Sequence, residues 1–193
     1  MVAVFHVIAT AMELFKTSPG VGSWVYPQVG EAFFHIRTVP LFSGFLYSAV
    51  GSYLARVWRT FQFRFTRYPP LWGTGTLAVL IYANFFTHHF FPDFRVLLFI
   101  LAALLYGKTF VYFTVAVKER RMPLLFGFFL VSLFIWIAEN IGTFSSVWLY
   151  PFQARGWSLV PFQKLGAWYL LMMVSFILIP LIHRKTLYDR NAV

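Results

Sequence analysis

Six long apolar stretches, separated by short polar or basic breaks, set the pattern of the chain. They run over about 2–15, 39–57, 71–91, 94–117, 122–144 and 165–182. A helix needs roughly 20 apolar residues to cross the hydrocarbon core of a bilayer, and five of the six come near that length. The pattern therefore predicts an all-α polytopic membrane protein with about six transmembrane helices, forming a single integral membrane domain over 1–193. The first stretch is short and holds His6 and Glu13. His6, Thr10 and Glu13 share a face there, because positions four and seven apart stack on a helix. A cleaved leader is the competing reading for this stretch, but it has no basic start and the two polar residues interrupt it. Pro92-Asp93 reads as a tight turn, which makes 71–117 a helical hairpin with Lys108 near the middle of its second span.

Polar signals recur inside this pattern. Glu13 is followed by Thr17, Trp24-Val-Tyr-Pro27 and Val39-Pro40; Glu139 is followed by Thr143, Trp148-Leu-Tyr-Pro151 and Val160-Pro161. A recurrence of this kind is the mark of an internal repeat. The expected units are about 2–57 and 122–182, entering the membrane in the same sense, so that the repeat is parallel.

Composition agrees with a lipid environment. The chain is 60% hydrophobic, 22% aromatic and 11% charged, whereas soluble domains carry about 25% charged residues. The net charge of +10 then reads as topology and not as nucleic-acid binding, since Lys and Arg collect in cytoplasmic loops. The basic breaks around Arg56–Arg67 and Lys118–Arg121, with the tail bearing Arg184, Lys185 and Arg190, fall on one side of a six-span arrangement. That side is expected to be cytoplasmic, with both chain ends inside a bacterial inner membrane, and Trp24, Tyr26, Trp148 and Tyr150 in an outer aromatic belt. Cysteine is absent, which excludes disulfides and cysteine metal sites.

The candidate chemistry lies in the polar residues of apolar surroundings. Glu13, Glu139 and His88 are the candidate catalytic groups; Trp24, Tyr26, Trp148, Tyr150, Asn84, Asn140 and Lys108 are candidate substrate-binding groups. Ionisable residues at membrane depth are costly and mark function by default. Three readings of the two acids stay open: helix-end acids met by interfacial water, braces that tie down loop groups, or an acid–base pair in which a buried carboxyl with a raised pKa gives up a proton. No metal site is expected, because the adjacent His88 and His89 diverge by about 100° on a helix and no further His box accompanies them. Phosphate-loop, Gly-x-Ser-x-Gly and dinucleotide fingerprints are missing, and no cofactor is expected.

Met12-Glu-Leu-Phe-Lys-Thr17, Gly22-Ser-Trp-Val-Tyr-Pro27, Val39-Pro-Leu-Phe-Ser-Gly-Phe45, Phe63-Arg-Phe-Thr-Arg-Tyr-Pro69, Asn84-Phe-Phe-Thr-His-His89 and Ile135-Trp-Ile-Ala-Glu-Asn-Ile-Gly-Thr143 together resemble a family of bacterial integral-membrane proteins known only as a domain of unknown function. Its members carry more apolar sequence upstream, so the resemblance implies a truncated or late start. A looser likeness, limited to Glu13, Glu139 and the two aromatic loops, is to membrane carotenoid cyclases and hydratases. It implies protonation of a polyene by a carboxylic acid among aromatic faces. The expected function is a membrane enzyme doing acid–base chemistry on a lipid or isoprenoid. A small-molecule or proton-coupled transporter and a non-catalytic assembly protein are the alternatives. Expected partners are membrane lipids and an apolar substrate, with no nucleic acid.

Overall fold

The computed structural model describes residues 2–31, 34–61 and 63–182, so the basic tail with Arg184, Lys185 and Arg190 lies outside the described residues. Helices form in all six apolar stretches: α1 (Val2–Lys16), α2 (Phe42–Thr60), α3 (Leu71–Thr87), α4 (Arg95–Tyr106), α5 (Leu124–Phe144) and α6 (Phe162–Ile182). Strands interrupt them: β1 (His35–Ile36), β2 (Val39–Pro40), β3 (Arg64–Thr66), β4 (Phe110–Val115) and β5 (Lys118–Pro123).

This overturns the expected six-span, all-helical membrane architecture. Among the described residues one helix, α5, is long and apolar enough to cross a membrane, and α3 and α4 are shorter apolar helices. At 1.5 Å per residue, the 12 residues of α4 reach about 18 Å, well short of a hydrocarbon core of about 30 Å. The expected fourth span is in fact a helix, a turn and a strand. Hydrophobicity alone does not separate these, because a continuous apolar run suits a buried strand as well as a helix. Phe110-Val-Tyr-Phe-Thr-Val115 is made of the aromatic and β-branched residues that favour strands. The basic segment expected as a loop is strand β5, paired antiparallel with β4 from Phe110↔Pro123 to Val115↔Lys118. Lys108 sits exposed in the turn between α4 and β4, not in mid-span. Multi-pass insertion, the cytoplasmic placement of both ends and the parallel entry of the repeat units all depended on counting six crossings, and one candidate helix does not support that count.

The chain divides into two compact units, Met1–Tyr53 with Ile137–Val160, and Leu54–Trp136 with Pro161–Val193. In the first unit, α1 lies close against the start of α2. Gly44 permits this: a Cβ there would come within 2.5 Å of the His6 Nδ1 and 2.6 Å of the Thr10 hydroxyl. His6 stacks on Phe45 at 4.1 Å between ring centroids. The β1–β2 hairpin turns at Arg37, which takes a left-handed φ of 54°. It delivers Val39, fully buried, to the foot of α2.

The second unit packs α3 against α4 and α6, around Leu77, Ile81, Leu98, Ala102, Met173 and Ile177, all buried. Full burial of such a side chain stabilises by about 1.5–3 kcal/mol over exposure. Pro69-Pro70 leads into α3, with Pro70 extended at ψ 142°, since proline is tolerated only at a helix's start. The β3-β4-β5 sheet joins this core through Phe65, which contacts Trp58 and Phe176 at 5.5 and 5.9 Å.

Candidate functional site

Two acids, one lysine and three phenols share the interior of the first unit. Glu13 sits in the last turn of α1 and is 1% exposed. Its Oε2 accepts hydrogen bonds from Trp24 Nε1 and the Tyr26 hydroxyl, and its Oε1 accepts from the Tyr47 hydroxyl of α2, each at 2.8 Å. Lys16 ends α1, is also 1% exposed, and lies on the Glu13 face because residues three apart are neighbours on a helix. Glu139, 3% exposed, is two turns inside the C-terminal part of α5 and accepts a hydrogen bond from the Tyr150 hydroxyl.

The two Trp-x-Tyr-Pro segments meet. Val25 and Leu149 form an antiparallel bridge, each N–H donating to the other's carbonyl at 2.8 Å. Antiparallel pairing sets Trp24 across from Tyr150, and those rings are edge-to-face at 6.3 Å. Tyr26 packs edge-on against Phe42 and Tyr150 stacks on Phe152. Trp24, Tyr26 and Tyr150 are buried with their polar atoms on carboxyls. The expected outer aromatic belt is therefore corrected, since a belt residue keeps its polar end in interfacial water.

Burial disfavours the charged form of Glu13 and raises its pKa; the hydrogen bonds from Tyr47, Trp24 and Tyr26 oppose that without cancelling it. Tyr150 is held well above the ordinary phenol range, by burial first, then by the neighbouring Glu139, and further by Glu13 and Tyr26. Tyr47 is raised in the same way, by burial and then by Glu13. Tyr150 thus bonds Glu139 and lies within electrostatic reach of Glu13.

The second copy uses its residues differently. Trp148 lies across Gly142, where a Cβ would be 2.4 Å from the indole ring. Asn140 accepts from the Val160 N–H at 2.9 Å, which ties the loop to the fully buried Val160. The Trp157 indole donates to Thr143 at 3.2 Å. Gln153, also buried, accepts from the Tyr150 N–H and donates to the Ser158 carbonyl.

Of the sequence candidates, Glu13, Glu139, Trp24, Tyr26, Trp148, Tyr150 and Asn140 come together in this unit. His88, Asn84 and Lys108 belong to the other unit. Asn84 accepts from the Phe94 N–H at 2.9 Å and donates to Asp93 at 3.2 Å, and His88 Nδ1 is 3.0 Å from the Asn84 carbonyl. There they close the α3–α4 turn. Sequence reasoning missed Lys16, Tyr47 and Gln153. The Lys16 signal was legible, three residues after Glu13 on one face; Tyr47 and Gln153 carried none. Among the described residues no group of three or more His, Asp or Glu comes together as a metal site requires.

Fold and site define a mixed helix-and-sheet protein with one candidate membrane helix among the described residues and a buried carboxyl–phenol cluster between paired aromatic loops. The chain belongs to the family described as "Protein of unknown function (DUF817)", whose model matches residues 1–176. It is 44% identical over 179 residues to the "Uncharacterized protein YoaT" of Bacillus subtilis (strain 168), a match covering 93% of this chain and 66% of that relative. The chain thus spans just under two thirds of that relative's length. No solved structure matches it.

Proposed function

We propose that the carboxyl–phenol cluster carries out acid–base chemistry on an apolar lipid or isoprenoid substrate, in a protein associated with the membrane through α5. The observation that carries this reading is two carboxyls buried in one unit, each accepting a hydrogen bond from at least one phenol. Burying ionisable groups costs several kcal/mol each, and replacing them with packed hydrophobic residues is often neutral or stabilising. A cluster of two acids, a lysine and three phenols is therefore poorly explained by stability, and perturbed ionisable groups gather where chemistry is done. In this reading Glu13 is the general acid, its pKa raised by burial against the three hydrogen bonds it accepts. Glu139 is the base, held in place by the Tyr150 hydroxyl. Tyr47 holds the Oε1 position that the substrate's reacting atom takes over. A proton given at Glu13 and one taken at Glu139 restore the starting charge, which suits an isomerisation or a hydration–dehydration.

Bracing of the paired loops is the second reading. It is favoured by one observation: both oxygens of Glu13 already accept hydrogen bonds. Mass spectrometry of small molecules extracted from the purified protein, beside Glu13→Gln and Glu139→Gln, separates the two. Acid–base chemistry predicts one retained apolar species in the wild type whose amount or mass changes in folded variants. If nothing is retained and both variants melt lower, the acids are braces.

A further inference from the structure

The β4–β5 hairpin belongs to the second unit and carries the strongest charge asymmetry among the described strands. Strands β3, β4 and β5 hold Arg64, Lys118, Arg120 and Arg121 against a single acid, Glu119. That acid is already bonded to Arg64 at 2.8 Å. Residues 114–121 are all exposed. Two apolar side chains stand at the tip, Val115 at 49% and Val117 at 100% exposure, on either side of Ala116, whose left-handed φ of 55° makes the turn. Arg64 lies over the Tyr112 ring at 4.7 Å and Arg121 over Phe110 at 6.0 Å, which holds both guanidinium groups at the sheet surface. β5 ends at Pro123 and α5 begins at Leu124, so the cations directly precede the one described helix able to cross a membrane.

We propose that this hairpin binds anionic phospholipid headgroups with its tip, the cations meeting them from both faces of the sheet. Basic clusters next to a membrane helix are attracted to the negative surface potential of anionic lipid. The valines decide the partner class. A bilayer boundary accepts cations at the phosphates and apolar side chains just beneath them, whereas a nucleic acid leaves Val115 and Val117 in water. The cations also divide between the two faces of the sheet. Lys118 and Arg120 pair with Val115 and Phe113, while Arg121 and Arg64 pair with Tyr112. A nucleic-acid surface gathers them on one.

The chain has no cysteine, so Val117→Cys gives a single labelling site. The full chain, labelled there with an environment-sensitive fluorophore, is exchanged into nanodiscs of phosphatidylcholine alone or mixed with phosphatidylglycerol. The expected result is a blue shift and brightening only with phosphatidylglycerol, reversed by high salt. Lys118→Gln, Arg120→Gln and Arg121→Gln, in folded protein, are each expected to weaken the response to phosphatidylglycerol about fivefold, the worth of one cation at an anionic surface. Equal signals in both lipids, or a chain that leaves the nanodiscs on gel filtration, overturn the proposal. So does a single-stranded oligonucleotide that shifts the probe more strongly than phosphatidylglycerol does.

Discussion

The two copies of the Glu–Trp-x-Tyr-Pro motif begin from nearly the same residues and end in different contacts. In the first, Trp24 donates to Glu13; in the second, Trp148 lies over the α5 backbone at Gly142. The residue three after the acid accounts for the difference. It is Lys16 in one copy and Gly142 in the other. Without a side chain, Gly142 leaves a flat seat for an indole. The first copy has Lys16 there, 1% exposed, and Trp24 goes instead to the carboxyl. The copies thus differ in whether an indole reaches the acid. Two nearly equal sequence motifs give one carboxyl gripped by an indole and two phenols, and one indole packed against bare backbone.

The largest test of this contrast is Glu13→Ala. It leaves Trp24, Tyr26 and Tyr47 with buried donors and no acceptor, and is expected to cost about 3–5 kcal/mol, read as a lowered midpoint in thermal or denaturant unfolding. A loss below that of Tyr150→Phe would show that Glu13 is not the centre of the cluster. Next comes Gly142→Ala. Its Cβ falls 2.4 Å from a ring of Trp148 that has to move, so overpacking of about 1–3 kcal/mol outweighs the helix-propensity gain of up to about 1 kcal/mol. A stabilised Gly142→Ala would mean that Trp148 has another seat and that the Lys16 explanation fails.

Smaller again is the difference between the two indoles. Trp24→Phe removes a donor to a buried carboxyl and should cost about 1–2 kcal/mol more than Trp148→Phe, which mainly changes packing. Equal costs would dissolve the distinction between the copies. The mildest effect is on pH dependence. Because Glu13 has a raised pKa in the fold, its contribution is fully present below its unfolded pKa and is lost as pH rises through the folded value. The wild type should therefore lose unfolding stability over that interval, and Glu13→Gln should flatten the profile there. A slope unchanged by the substitution would assign the titration to another group.

That each apolar stretch holds a helix was legible in the hydrophobic pattern, and so was the repeated Glu–Trp-x-Tyr-Pro motif, but not that its aromatic groups bond the carboxyls. The strands were not. Phe110–Val115 is apolar enough to pass for the end of a span, and Lys118–Arg121 polar enough to pass for a loop, until cross-strand pairing is seen. Lys108 was misplaced for the same reason, and the sixfold crossing count went with it. His88 and Asn84 drew attention as polar groups near an apolar helix end, yet their bonds go to the local turn.

By itself, the sequence determined the local matters: which stretches hold a helix, which residues repeat, and that the protein belongs with others sharing those motifs. These rest on periodicity, proline and short-range spacing, which act within a few residues. The tertiary structure alone decided that Val25 and Leu149 join the two loops and that Tyr47 reaches Glu13 across 34 positions. Hydrogen bonds and charges between distant positions depend on how the chain folds back, and an apolar run reads the same whether it is a span, a core helix or a strand.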